Sequence, residues 1–191
     1  MVEPTTCYFE LEQMTLLELL GLSRPAETEA HSSEADALRR IVSALDEIEP
    51  EKARYIACFA YLLGRVANAD LDISEDETRE MERIVESRGG LPEAQAVLVV
   101  QIAKSQNKAF GSTQSFTVTQ EFNQLATRPQ KLAMLDCLFA VSSSDQSIST
   151  VEDNEIRNIA RELRLDHSDF IASRSTYRQY IETLKRPAPS A

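Results

Sequence analysis

Tryptophan is absent from this sequence, glycine occurs only five times in 191 residues, and there are two histidines and three cysteines. Each scarcity excludes something. Few glycines and few β-branched runs argue against a tight-turned β-fold and favour helices. Cys7, Cys58 and Cys137 are odd in number and widely spaced, so they encode no disulfide framework, and two histidines make no zinc pattern. Cys58 and Cys137 lie in the apolar surroundings "IACFAYLL" and "AMLDCLFAV" and read as small buried hydrophobes. The longest apolar runs, "YIACFAYLL" and "AVLVVQIA", fall short of the ~18–20 residues that span a bilayer. The start, "MVEPTTCYFELEQ", is acidic and lacks the basic n-region of a signal peptide. A cytoplasmic location without membrane insertion is the expectation.

Positive charge is also in deficit, with 20 Lys and Arg against 31 Asp and Glu, a net charge of −11. A general nucleic-acid binder needs a basic patch to neutralise phosphates, and anionic lipid demands the same. Neither is expected here; solubility accounts for the excess. Catalysis has little to draw on, because His31 falls in a linker, His167 falls at a helix start, and no nucleophile–base pair or phosphate loop is visible. The chain reads as a non-enzyme. With 42% hydrophobic and 27% charged residues over 191, it suits one soluble domain with a proper core.

Apolar spacing divides the chain. Residues 1–32 form an N-terminal extension: a Leu-rich helical stretch from Thr5 to Leu22, then the linker "SRPAETEAHSS" with no periodic apolar face. It can complete the core or recruit a partner. From Ser33 an amphipathic helix carries Leu38, Ile41, Val42, Leu45 and Ile48. Pro50 suits the first position of the next helix, whose residues Tyr55 to Val66 are apolar nearly all round and predict burial. Met81, Ile84 and Val85 stripe a third helix ended by Gly89 and Gly90, and Pro92 opens a fourth. The polar segment Asn107 to Val118 is expected to be the long connection, and Thr119 to Ala126 a short helix. Pro129 opens a second central helix, and a last helix is expected from about Ser168 to Leu184. Residues 33–185 are thus one helical domain, and 186–191 a tail.

What the sequence does have is a repeat. An offset of 75 places Asp70 on Asp145, Ile73 on Ile148, Ser74 on Ser149, Glu77 on Glu152, Glu80 on Glu155, Leu63 on Leu138 and Val66 on Val141. A proline enters the preceding helix in both copies, Pro50 and Pro129. The predicted fold is all-α: seven to eight helices built from two pseudo-symmetric helix–loop–helix repeats. Ser74 with Glu77, and Ser149 with Glu152, are capping boxes, and Ile73 and Ile148 are placed as hydrophobic staples.

Two features exceed that structural duty. Asp70 and Asp145 follow a helix C-terminus, where exposed carbonyls disfavour a carboxylate. Backbone N–H groups, a neighbouring cation or a bound metal would each offset this. Glu77 and Glu80 stand four residues before Met81 and Ile84, and Glu152 and Glu155 repeat the placement. The spacing predicts carboxylates at the rim of the core, needing protons, partners or a cation. Arg65, Arg79, Arg83, Arg157 and Arg161 can supply charge internally. If a metal is bound by Asp70, Glu77, Glu80, Asp145, Glu152 and Glu155, all-oxygen ligation selects calcium or magnesium. An EF-hand is excluded, because Val66 and Val141 stand where its first Asp belongs, and Leu71 and Gln146 where its glycine belongs.

The stretch "LLGRVANADLDISEDETREMERI" resembles the TerB family, a tellurite-resistance-associated helical domain also found at the N-terminus of the DjlA co-chaperone. Its signature is a helix ending in Ala-x-Ala-Asp-Gly, followed by an apolar residue, Ser or Thr, and Glu. Ala67, Ala69, Asp70, Ile73, Ser74 and Glu77 carry it, as do Asp145, Ile148, Ser149 and Glu152; Leu71 and Gln146 replace the usual glycine. The resemblance implies an all-α fold with an acidic surface, no established catalysis, and a cytoplasmic role in stress response or near membrane-associated complexes. No His-Pro-Asp occurs, so DjlA-like J-domain activity is not implied. The leading expectation is a non-catalytic adapter whose acidic motifs bind a protein partner or a divalent cation. The alternative is a structural interaction module with no metal site, binding through its N-terminal segment.

Overall fold

Proline has no N–H to donate, so it is tolerated where a helix begins, and both central helices use it there. In the computed structural model, which describes residues 33–67, 75–105 and 112–184, Pro50 is the first residue of one and Pro129 the second residue of the other. Eight α-helices run through these described residues. They are α1 (Ser33–Asp46), α2 (Pro50–Ala67), α3 (Glu75–Gly89), α4 (Glu93–Ser105), α5 (Ser112–Leu125), α6 (Arg128–Ser142), α7 (Thr150–Glu162) and α8 (His167–Thr176). Two 3₁₀ turns, Arg178–Tyr180 and Glu182–Leu184, follow. The all-α expectation holds. The readings of residues 1–32 and 186–191 lie outside the described residues, as does the first acidic loop, 68–74.

Helices α2 and α6 are the interior. Every residue of α2 from Tyr55 to Gly64 is buried, as is α6 from Cys137 to Ser142. Helix α2 packs on α4 and α5, α3 on α4 and α6, and α7 on α2, α5, α6 and α8. Tyr55 stacks on Phe122 with ring centroids 5.3 Å apart, and Phe139 stacks on Tyr177 at 5.8 Å. Such offset aromatic pairs add to the gain from burial alone. Gly89 lets α3 close on α2: a Cβ there would stand 2.8 Å from Phe59 Cζ. Gly90, at φ +68°, then turns the chain out of the helix, as a glycine after the last helical residue commonly does.

Three local expectations change. Of the polar segment Asn107 to Val118, residues 112–118 belong to a helix, since α5 begins at Ser112, and the rest lies outside the described residues. The helix is held by polar contacts further along it: Thr119 Oγ1 donates to Glu162 Oε2 at 3.0 Å, and Arg54 Nη1 donates to Glu121 Oε1 at 3.3 Å. The last helix stops at Thr176 rather than Leu184. Ile181 is extended there and pairs with Ile148 in an isolated parallel bridge: Ile148 N–H donates to Tyr180 O at 2.7 Å, and Glu182 N–H to Ile148 O at 3.1 Å. Nor does Ile148 have an apolar staple partner at the fourth position of α7, which is Asp153; its buried side chain lies at the Ile181 bridge instead.

Candidate acidic-motif site

The second copy of the motif can be followed atom by atom. After α6 the chain reverses through Ser143 to Ser147, and Asp145 Oδ1 accepts from Ser147 N–H at 2.9 Å. Of the three ways to offset a carboxylate beyond a helix C-terminus, this copy uses the backbone. Gln146 has φ +66°, the left-handed region that favours glycine and costs other residues roughly 1–2 kcal/mol. Ser149 then caps α7: its Oγ accepts from Glu152 N–H at 3.2 Å, and Glu152 Oε2 accepts from Ser149 N–H at 2.9 Å. The reciprocal capping box expected from the sequence is present.

Glu155 is held by an arginine from the other repeat. Arg65, at the end of α2, donates from Nε to Glu155 Oε1 at 2.8 Å and from Nη1 to Glu162 Oε2 at 2.6 Å. Its side chain is 14% exposed, and those of Glu155 and Glu162 are 29% and 34%. Burial works against the guanidinium charge, but hydrogen bonds to Glu162 and the charges of both glutamates outweigh it, and its pKa rises. Sequence reasoning named Arg65 as a possible partner and missed Glu162. It also missed Asp153, a buried carboxylate bound bidentately by Arg174, both N–H···O distances being 2.8 Å. The signal was present, since Asp153 sits on the same stripe as Ile156 and Ala160 (i, i+3, i+7), where a carboxylate has to be paired.

The first copy differs. Asp70 and Ser74 lie outside the described residues. Glu77 and Glu80 are exposed, which corrects the placement of both at the rim of the core. On α3 only Met81, Val85 and Gly89 are buried, so the packed stripe begins one turn beyond Glu77. Ile84, four residues after Glu80, is only half-buried at the stripe's edge. Glu80 pairs with Arg83 on its own helix, and Arg79 reaches Asp76 at 3.1 Å and Glu75 at 3.4 Å.

The repeat explains the difference. At the same offset of 75 residues, Arg65 corresponds to Ala140. Arg65 of the first copy clamps Glu155 of the second, while Ala140 has no group with which to clamp Glu80 in return. Of the six candidate ligands, Glu152 and Glu155 are therefore engaged in a cap and an ion pair, Asp145 in its own turn, and Glu80 with Arg83. Among the described residues no three His, Cys, Asp or Glu side chains are gathered as a metal site requires. Cys58 and Cys137 are free and fully buried, and burial pushes both thiols well up, away from the reactive thiolate.

Fold and motif together define a class: an all-helical bundle with an acidic helix start in each half, the second one closed by a capping box. The model of the family described as Tellurite resistance protein TerB matches residues 55–175, from α2 to the end of α8 and more than half of the chain. The protein belongs to this family. No curated protein and no solved structure matches it.

Proposed function

We propose that this TerB-family chain is a non-catalytic, cytoplasmic stress-response adapter that recruits a protein partner through its first acidic motif. The observation that carries this reading is the difference between the copies. Carboxylates of the second copy are engaged by a turn, a cap and Arg65, the two glutamates partly buried, whereas Glu75, Asp76, Glu77 and Glu80 of α3 are exposed. Exposed ion pairs within one helix are worth little, about 0.3–0.5 kcal/mol each. Glu75, Asp76 and Glu80 can therefore exchange Arg79 and Arg83 for a partner's basic groups at small cost. The family's description supports a role linked to tellurite resistance.

A divalent cation, calcium or magnesium by its oxygen ligands, is the second reading, and it rests on Asp70 joining this surface. Melting curves of the purified protein in calcium, magnesium, manganese or EDTA separate the two. A metal-dependent rise in Tm that Asp70→Asn abolishes and Asp145→Asn leaves intact supports the cation. No shift with any ion rejects it. The protein-partner reading is tested by co-purification with the full chain. Loss of a specific partner in Glu75→Lys/Glu80→Lys supports it, and unchanged capture overturns it.

A further inference from the structure

In a chain carrying −11, α7 has one face without any carboxylate. Helical geometry, at 100° per residue, puts Thr150, Asn154, Arg157 and Arg161 on one side, with Arg164 just past the end. The glutamates of α7 lie on the far side, where Arg65 takes up Glu155 and Glu162, and Asp153 is taken up by Arg174. Arg157, Arg161 and Arg164 are exposed and form no ion pair with any described carboxylate. Arg157 lies over the Phe170 ring, 5.3 Å from its centroid. Lys131 lies near this patch: burial, and then the positive charge of Arg164, lower its pKa.

Arg164 also pays for its place in conformation. Leu165 N–H donates to Ala160 O and Arg164 N–H to Arg161 O, both at 3.0 Å, the Schellman closure whose central residue is ordinarily glycine. Arg164 holds it at φ +58°. A strained backbone at an exposed side chain points to a use for that side chain. Favourable interaction with the helix C-terminal dipole accounts for Arg161, but not for Lys131, Arg157 and Arg164 clustered with it.

The complementary charge is on the same chain. Residues 1–32 contain six glutamates (Glu3, Glu10, Glu12, Glu18, Glu27 and Glu29) and one arginine, Arg24. Six against one gives −5 of the total −11, leaving −6 on the remaining residues. A nucleic acid or an anionic membrane is larger than this face and would meet repulsion from the rest of the molecule. A short acidic segment would touch only the face, since charges beyond a Debye length of about 8 Å are screened at physiological salt. A tether ending at Ser33 supplies that segment at an effective concentration of the order of millimolar. Thirty-two residues reach up to ~100 Å, more than the span of a domain this size.

We propose that the N-terminal segment, residues 1–32, docks through its glutamates on the Arg157–Arg161–Arg164 face of α7. Docking covers this face until an anionic partner competes for it, and it is independent of the α3 reading above. The full chain allows a direct test. Cys58 and Cys137 are buried, so a nitroxide maleimide is directed to Cys7, with Cys7→Ser as the control. The expected result is loss of amide NMR intensity centred on Arg157 to Arg164 and reaching the residues packed beside them, Phe170 and Lys131. It should vanish in about 0.5 M NaCl, where screening shortens to a few Å, and in Glu10→Arg/Glu12→Arg/Glu18→Arg, which leaves every described helix unaltered. Combining that variant with Arg157→Glu/Arg161→Glu/Arg164→Glu should restore the loss. Intensity loss elsewhere, or none at α7 at low salt, overturns the proposal and leaves the face to an external anionic partner.

Discussion

The two copies of the acidic motif share a sequence pattern and have opposite fates. In the second copy Glu152 closes a capping box and Glu155 sits half-buried in the grip of Arg65. In the first, Glu80, the counterpart of Glu155, is 48% exposed and answers only to Arg83 one turn away. One asymmetry lies in the partner position, Arg65 in one copy and Ala140 in the other, and a second in Glu162, whose counterpart is Ser87. A duplicated motif can thus keep its local job, starting a helix, while one copy is drawn into the interior and the other is left on the surface.

The comparison can be broken at several points. The deepest is the shared core, where Leu63 and Leu138 correspond and both are fully buried. Leu63→Ala and Leu138→Ala should each cost about 2–5 kcal/mol in urea unfolding, and a cost near zero at either would dissolve the structural equivalence. Next, Arg65→Met strands two partly buried glutamates. Breaking a buried pair costs about 3–5 kcal/mol; with both carboxylates still partly in water, about 2 kcal/mol is expected, again read from unfolding midpoints.

A smaller difference sharpens the contrast directly. Glu155→Gln should lose about 1 kcal/mol, a charge-assisted bond to a half-buried arginine. Glu80→Gln should stay within the few tenths typical of an exposed helix pair. Equal losses would remove the distinction between the copies. The one change of opposite sign is a gain: Gln146→Gly should relieve the left-handed backbone, and after the entropy glycine loses on folding a net rise of about 0.3 kcal/mol is expected in urea unfolding.

Much of this was legible in the residues. Pro50 and Pro129 announced the two central helices, the unbroken apolar character of Tyr55 to Val66 announced burial, and Ser149 with Glu152 announced the cap. Each of these signals acts over a turn or two of chain, so the sequence contains both partners side by side. Where polarity was read as a connection, the structure differs: residues 112–118 are helical, and the helix they begin is held by distant partners, Glu162 at Thr119 and Arg54 at Glu121. The end of the last helix was missed for a similar reason, since the chain beyond Thr176 is organised by Ile148, more than thirty positions earlier.

The sequence by itself determined the helices, their starts, the duplication and the family, because capping, proline geometry and apolar period are short-range properties. Only the tertiary structure decided which of the duplicated carboxylates would be buried, paired or exposed. Arg65 meets Glu155 across 90 positions and Glu162 across 97. No local pattern encodes such a meeting, because it arises when α7 packs on α2 and an arginine in one repeat faces a glutamate where the other repeat can offer only alanine.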